Sequence, residues 1–234
     1  MINKYELNAR IYPIIITLIP LLVIGIYFSI DYKNIYSALG GIGLFTLLSF
    51  VFGQLGRDNG KRAEKKLWND WGGAPTTQIL RLTNDILNIN TKKKAHQVLY
   101  EKTNIGSYDM ENIEASDKDR ADEIYDAWCY YLRKQTRDIS KYKLIYLENI
   151  NYGFRRNLWG IKSLGIIFVV LSLIIITTHS YLNNQILEVP NYLLWVTLIL
   201  LIFLLLFWVT VVTKDWIRIV AFAYAERLIE AINQ

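Results

Sequence analysis

Four long apolar stretches without Asp, Glu, Lys or Arg constrain the fold of this chain more than any other feature. A helix needs about 20 predominantly apolar residues to cross the hydrocarbon core of a membrane. In lipid the backbone has to satisfy its own hydrogen bonds, so each stretch is predicted to form a helix. The predicted transmembrane spans cover about residues 11–30, 35–56, 162–180 and 191–213.

Two other interpretations of these stretches are weaker. Helices buried in a soluble core rarely run this long without a charge, and four such helices in one chain argue against a soluble protein. The first stretch is too long for the apolar region of a signal peptide, lacks a small-residue cleavage site and leads into a second span. We therefore expect it to stay in the mature protein.

The orientation follows from Lys and Arg near the span ends, because short cytoplasmic loops are enriched in these residues. The loop after the first span offers only Lys33, offset by Asp31, and the loop after the third span has no base. The other span ends are basic: Lys4, Arg10, Arg57, Lys61, Arg62, Lys65, Lys66, Arg155, Arg156, Lys162, Lys214 and Arg218. Both termini and the long middle segment are therefore predicted to be cytoplasmic.

The predicted fold class is an all-α membrane protein with four transmembrane helices and a mainly helical cytoplasmic domain inserted between spans two and three. The predicted parts are an N-terminal transmembrane hairpin (1–56), the cytoplasmic domain (57–160), a C-terminal transmembrane hairpin (161–213) and an amphipathic helix (214–234). One face of this last helix is apolar: Ile217, Val220, Tyr224, Leu228 and Ile232. It lies in the membrane interface, packs on a partner, or continues span four and packs on the cytoplasmic domain.

Within the cytoplasmic domain, Thr91 is predicted to cap a helix that runs through Lys102, and residues 106–115 are predicted to form a loop. Ser116 is the predicted N-cap of a helix to about Thr136. The apolar side of that helix follows the 3.6-residue period: Ala121, Ile124, Tyr125, Trp128, Tyr131 and Leu132.

Charge is polarised along this domain. Residues 57–66 hold five bases and two acids, whereas residues 109–126 hold eight acids and two bases. A basic collar near the membrane is explained by attraction to anionic lipids, which contributes about 1 kcal/mol per basic residue. An anionic ligand, or an intersubunit contact with the acidic helix, explains it equally well.

The stretch from Arg57 to Arg81 is denser in Gly, Thr and basic residues than a lipid collar needs. Its two adjacent glycines permit close approach of the backbone, and Pro75 can start a helix whose free N–H groups face an anion such as phosphate. Neither the Walker spacing nor the dinucleotide fingerprint is present. The alternative is a turn packed under Trp68 and Trp71.

The candidate anion-binding residues are Arg57, Lys61, Arg62, Gly72, Gly73, Thr76, Thr77 and Arg81, together with Arg155 and Arg156 just before the third span. The two adjacent arginines either hold lipid headgroups or pair with the first stretch. In both cases they place positive charge where the chain enters the membrane.

Three motifs carry a resemblance to known proteins: RD-x-GK, W-x2-WGG-x-PTT-x2-LR and EN-x2-YGFRRNL. They resemble a family of small bacterial four-span membrane proteins, similar in layout to the transmembrane effectors of nucleotidyltransferase-linked antiphage defence of the Hailong type. The resemblance implies a homo-oligomeric channel, such as a tetramer, in the bacterial inner membrane. It also implies opening on infection, depolarisation and abortive infection, with a nucleotide or oligonucleotide as the signal and a cytoplasmic nucleotidyltransferase as a partner.

The residue patterns expected of an enzyme are missing from the sequence. Two histidines and one cysteine far apart do not make a zinc site, and no nucleophile elbow or Ser/His/Asp set is apparent. We therefore predict no catalytic activity, no metal and no cofactor.

The predicted spans also lack an ionisable residue near mid-depth, which disfavours an ion-coupled carrier. A pore is compatible with the uncharged polar and small residues of span two, where the candidates are Ser37, Gly41, Thr46, Ser49 and Gln54. A conduction path is expected where several copies meet. The alternative function is a non-conducting membrane scaffold or sensor that anchors a cytoplasmic partner.

Overall fold

The structure is a computed structural model that describes residues 4–31, Gly43, 58–183 and 192–233, and these residues form helices without a strand. A π-helix (Glu6–Ile11) leads into α1 (Tyr12–Asp31), and α2 covers residues 58–71. The middle of the chain forms α3 (Pro75–Gln78), α4 (Ile89–Thr103), α5 (Met110–Ser116), α6 (Lys118–Gln135) and α7 (Lys143–Gly160). Then follow α8 (Lys162–Leu182), α9 (Tyr192–Leu206) with a π-helix (Phe207–Val211), and α10 (Lys214–Glu230) with a 3-10 turn (Ala231–Asn233).

Three helical stretches are long and apolar enough to cross a membrane: Glu6–Ser29, Lys162–Leu182 and Tyr192–Val211. They coincide with the first, third and fourth predicted spans, so the chain has the long apolar helices of a membrane protein. The predicted second span lies outside the described residues, as do its pore candidates Ser37, Gly41, Thr46, Ser49 and Gln54.

The described helices form two compact units. The membrane unit contains the described residues up to Ala63 together with Gly153–Trp216. The polar unit contains Glu64–Tyr152 together with the described residues from Ile217 onward. The chain passes between the units after Ala63, after Tyr152 and after Trp216, and each passage lies inside a helix, namely α2, α7 and α10.

In the membrane unit, α1, α8 and α9 share an apolar core. Its buried residues are Ile24, Tyr27, Leu158, Val169, Ile176, Leu194, Leu201, Leu204, Trp208 and Val212. The buried hydroxyls of Thr17, Ser172 and Thr197 donate to the backbone carbonyl four residues earlier in their own helix, at 2.8, 2.6 and 2.8 Å. Helix-internal bonding of this kind lets polar side chains stay in an apolar environment without a second partner.

In the polar unit, the predicted apolar stripe of α6 is confirmed. Ala121, Ile124, Tyr125, Trp128 and Leu132 are buried, and Tyr131 packs against the same core partly buried. The end of the chain contributes to this core through Ala225, Leu228, Ile229, Ala231 and Ile232. The C-terminal helix therefore packs on the middle domain, as one of the three alternatives had it. It does not continue span four, because Val212 and Thr213 interrupt the helix.

Three predicted element boundaries are wrong. The predicted loop over residues 106–115 contains α5, whose first turn is capped because the Asp109 carboxylate accepts from Asn112 N at 3.1 Å. Helix α4 is capped by Asn88 rather than Thr91. Helix α6 is capped by Asp117 rather than Ser116, because the Ser116 hydroxyl donates back to the Asn112 carbonyl and closes α5.

Candidate functional site

The predicted anion site falls into both units. Gly72, Gly73, Thr76, Thr77 and Arg81 belong to the polar unit. The other described candidates belong to the membrane unit: Lys61, Arg62, Arg155 and Arg156. Arg57 lies outside the described residues.

The double glycine ends α2 and reverses the chain. Gly72 and Gly73 have φ of 82° and 134°, a backbone region that glycine adopts without the strain imposed by a Cβ. The Gly73 N–H donates to the Trp68 carbonyl at 2.8 Å and thereby closes the last turn of α2. Pro75 then occupies the first turn of the four-residue helix α3, where a missing N–H costs nothing.

Arg81 connects this turn to α6. Its Nε and Nη2 donate to the two carboxylate oxygens of Asp122 at 2.7 and 2.6 Å, and its Nη1 donates to the Gly72 carbonyl at 2.9 Å. The hydrogen bond to Asp122 raises the pKa of the guanidinium. An anion binding at Arg81 therefore has to compete with a bidentate carboxylate already in place.

The two threonines of the predicted site are buried, each 6% exposed. The carbonyl of Thr76 accepts from Cys129 Sγ at 3.2 Å. Burial raises the pKa of the Cys129 thiol to about 12, so the thiol stays protonated and is a poor nucleophile. In the polar unit this stretch is thus a turn fixed by internal bonds, with its threonines directed into the core.

A buried lysine holds the loop after Arg81, and the sequence analysis missed it. Lys92 is only 1% exposed, and its ammonium donates to the carbonyls of Arg81 at 3.0 Å and of Asn84. Burial lowers its pKa from the ordinary value. No sequence signal distinguished Lys92 from Lys93 and Lys94, because all three follow each other on one helix.

Glu114 holds the same loop from α5. Its carboxylate accepts from the Leu82 N–H at 2.9 Å, the Thr83 N–H at 3.2 Å and the Tyr125 hydroxyl at 2.6 Å. Burial favours the neutral acid, but these hydrogen bonds outweigh it and hold the pKa of Glu114 below its usual value. The loop is therefore fixed by one buried cation, Lys92, and one partly buried anion, Glu114.

In the membrane unit, Arg155 binds the start of α10. Its Nη1 donates to the Trp216 carbonyl at 2.7 Å, and its guanidinium carbon lies 4.5 Å from the centroid of the Trp216 ring. Arg156 is half-buried, whereas Lys61 and Arg62 are exposed on α2. Of these four bases, the exposed pair is the one that is open to an anionic ligand or a lipid headgroup.

Asn157 is a further polar residue here that the sequence analysis did not select. It is 2% exposed, and its amide Nδ2 donates at 2.7 Å to the carbonyl of Ala9 in the first π-helix. This side chain thus supplies a donor to the backbone of the π-helix from α7.

Glycines let the helices around Asn157 approach closely. A Cβ at Gly60 would lie 2.0 Å from Asn157 Oδ1, and a Cβ at Gly160 would lie 2.9 Å from the Gly60 nitrogen. Here α2 and α7 meet with their backbones nearly in contact. Larger side chains at these positions would separate the two helices.

The second π-helix, like the first, has a backbone carbonyl at or next to it that accepts a hydrogen bond from a side chain of another helix. The ammonium of Lys162 donates to the Val212 carbonyl at 2.8 Å, where the π-helix ends. Trp208, fully buried, covers Gly165, at which a Cβ would lie 2.3 Å from the indole ring. Both π-helices are thus held by residues of the segment from Asn157 to Gly165.

No group of three or more His, Cys, Asp or Glu side chains suited to a metal ion occurs in the described part of the chain. Comparisons with known proteins do not add an assignment: no family model matches the chain, and neither a curated protein nor a solved structure matches it significantly. The resemblance to antiphage effectors therefore stays a prediction.

Proposed function

We propose that the protein is a homo-oligomeric membrane effector, a gated ion channel with four spans per copy and both termini in the cytoplasm. Its polar unit is the cytoplasmic part, and an anionic signal, a nucleotide or oligonucleotide, controls the gate. In the bacterial inner membrane, opening depolarises the cell as an antiphage response.

The observation that carries this proposal is the helical continuity between the two units. All three passages of the chain lie inside α2, α7 and α10. We infer that these helices pass the signal on, since each contributes residues to both units. Lys61 and Arg62 lie on α2 directly before its passage into the polar unit.

The charge distribution also supports a channel over a carrier. The described apolar stretches 13–29, 163–182 and 193–211 contain no Asp, Glu, Lys or Arg, and ion-coupled carriers usually need such a residue near mid-depth. Among the described bases of the predicted anion site, Lys61 and Arg62 on α2 are exposed and can receive an anion from solvent.

A test of this proposal is ion flux from liposomes that contain the full chain. Flux should rise when a nucleotide or short oligonucleotide reaches the cytoplasmic side. The double variant Lys61→Gln and Arg62→Gln should respond only at higher ligand concentrations, whereas the matched variant Lys134→Gln and Arg137→Gln, in the polar unit, should respond as the wild type. Correctly inserted protein that conducts under no nucleotide condition argues against a channel.

One observation favours the second candidate, a scaffold or sensor that anchors a cytoplasmic partner. The buried hydroxyls of Thr17, Ser172 and Thr197 all bond within their own helices, so they do not line a polar path inside one copy. A scaffold predicts that apolar replacement of Ser37, Thr46 and Ser49 leaves function intact. A channel predicts that the same replacements change conductance.

A further inference from the structure

One buried tyrosine of the polar unit contacts two other helices. Tyr152, on α7, is 7% exposed. Its hydroxyl donates to Glu64 Oε1 at 2.9 Å and accepts from the indole Nε1 of Trp68 at 3.2 Å. Glu64 and Trp68 are four residues apart on α2 and therefore share one face of that helix. A single phenol oxygen thus holds two successive turns of α2 against α7.

The ring of the same tyrosine contacts α10. Its centroid lies 6.5 Å from that of Tyr224, and the two ring planes differ by 11°. Aromatic rings at this separation attract each other, and Tyr224 in turn packs partly buried against the core of the polar unit. Tyr152 therefore connects α7 to α2 through its hydroxyl and to α10 through its ring.

These contacts lie where the chain enters and leaves the polar unit. Glu64 is the first residue of this unit on α2, and Tyr152 is its last residue on α7. Tyr224 follows Ile217, the first residue of the unit on α10, by seven positions, or about two helical turns. The three helices that Tyr152 connects are the same three that continue into the membrane unit.

The chemistry of the link requires a hydroxyl. A phenol donates one hydrogen bond and accepts another, whereas an ionised carboxylate only accepts and an indole N–H only donates. The hydroxyl of Tyr152 serves both partners at once, and its bond to the carboxylate is of the stronger, charge-assisted kind. Trp68 and Tyr152 also belong to the sequence motifs W-x2-WGG-x-PTT-x2-LR and EN-x2-YGFRRNL, although neither is a candidate anion-binding residue.

We propose that Tyr152 is a positioning residue for the gate, which makes α2, α7 and α10 move together at their passages out of the polar unit. This inference rests on the proposed function, in which an anion binds at Lys61 and Arg62. Lys61 precedes Glu64 by about one turn of α2, so a displacement of α2 by the anion acts directly on the bond to Tyr152. Tyr152 passes the displacement to α7, and its ring passes it to α10.

The first test separates anion binding from the response. Tyr152→Phe removes both hydrogen bonds and keeps the ring that contacts Tyr224. The probes are ATP and a short oligoadenylate, with calorimetry of the detergent-solubilised full chain for binding and ion flux from liposomes for the response. The Kd of the variant should stay within about twofold of the wild type, whereas flux at saturating probe should fall by about tenfold. The double variant Lys61→Gln and Arg62→Gln should instead bind more weakly and reach full flux at saturation.

The matched control is Tyr125→Phe. Tyr125 is likewise buried in the polar unit, and its hydroxyl donates to Glu114 at 2.6 Å, but it connects α6 to α5, which both lie wholly within that unit. Both variants lose a bond to a carboxylate and should be destabilised in urea, whereas only Tyr152→Phe should lose flux. The proposal is overturned if Tyr152→Phe conducts as the wild type does, or if Tyr125→Phe loses flux to the same extent.

The second test does not depend on conduction. In the full chain without probe, Tyr152→Phe should increase amide hydrogen exchange in α2 by about tenfold. Tyr152→Leu, which also removes the ring, should increase exchange in α10 around Tyr224 as well, and Tyr125→Phe should change neither helix. Unchanged exchange in α2 of the first variant, or in α10 of the second, overturns the link. A wild type that conducts with neither probe contradicts the proposed channel, and the exchange results decide the link independently of it.

Discussion

The two units satisfy their buried polar groups in different ways. In the polar unit, side chains from different elements hold one another, as in the Arg81–Asp122 pair and the bonds of Glu114 to Leu82 and Tyr125. In the described part of the membrane unit, the buried hydroxyls of Thr17, Ser172 and Thr197 bond to their own helix, and one uncharged pair, Tyr27 and Ser180, joins α1 to α8 at 3.4 Å. Asn157 and Lys162 donate to backbone carbonyls of or next to the π-helices. The difference follows from the solvent, because an unpaired charge costs far more within lipid than near water.

This comparison assigns the units different sensitivities. The polar unit depends on ion pairs and therefore responds to charge changes and to pH. The membrane unit depends on close packing at glycines and therefore responds to added volume. The following predictions test that contrast, in order of decreasing effect.

The largest effect is expected for Asp122→Ala. The side chains of Arg81 and Asp122 are 12% and 26% exposed, so the variant leaves a mostly buried guanidinium without its carboxylate. We expect a loss of about 3 kcal/mol in the free energy of unfolding of the polar unit. Urea unfolding of the detergent-solubilised chain measures it, with the exposed Asp119→Ala on the same helix as the control. Equal losses in both variants would contradict a special role for the pair.

A pH effect of similar size is expected from His96. Burial lowers its pKa from 6.5 to about 4 on folding, so between these two pH values the unfolded chain binds more protons than the folded chain. The stability that the neutral ring contributes is fully present above pH 6.5 and is lost as the pH falls towards 4. The loss amounts to about 3 kcal/mol at 1.4 kcal/mol per pKa unit.

The control for this pH effect is His96→Phe, which keeps an aromatic ring beside Tyr125 and Trp128. Carboxylates titrate in the same range in both proteins, so the difference between the two urea-unfolding curves isolates the histidine. Between pH 7 and pH 4 the wild type should lose about 3 kcal/mol more than the variant. Parallel curves from pH 7 to pH 4 would show that His96 is not the titrating group.

Replacing a glycine by alanine should destabilise the membrane unit at Gly165 but not at Gly25. A Cβ at Gly165 would lie 2.3 Å from the Trp208 ring, whereas a Cβ at Gly25 meets nothing within 4 Å. Gly165→Ala should cost about 2 kcal/mol by overpacking. Gly25→Ala should stabilise by up to about 1 kcal/mol, since alanine favours a helix over glycine. Thermal unfolding in detergent compares the two variants, and a similar shift in both would contradict the packing of Trp208 on Gly165.

The smallest effect is expected for Lys162→Met, which removes the donor to the Val212 carbonyl and keeps an apolar stem. The expected loss is about 1 kcal/mol, the usual net value of one hydrogen bond. Hydrogen exchange should increase locally in the second π-helix and at the start of α10. Lys61→Met, at an exposed position of the same unit, serves as the control and should change neither.

The sequence predicted those features that follow from periodic patterns. The three described apolar spans and the buried stripe from Ala121 to Leu132 repeat at intervals that a helix imposes. Gly72, Gly73 and Pro75 also form the predicted turn, because few other residues suit that backbone. These features depend on local chemistry, which a single sequence displays.

The partners of the individual charges were not predictable. Arg81 was selected as an anion-binding residue, and in the structure Asp122, 41 positions later in the chain, binds two of its three guanidinium nitrogens. Lys92 and Asn157 were not selected, since nothing in the sequence reveals which carbonyls the fold leaves without a donor. Such assignments depend on distant residues coming together, and no local pattern records that.

The central claim is that an anionic signal received at Lys61 and Arg62 of α2 opens a path through the membrane unit. Electrical recording from the full chain in a planar bilayer tests it most directly, with nucleotide or oligonucleotide added to one side at a time. The account predicts discrete current steps when the ligand is added on the side of the polar unit, and none when it is added on the other side. A silent bilayer under both additions, with protein shown to be inserted and oligomeric, would contradict it.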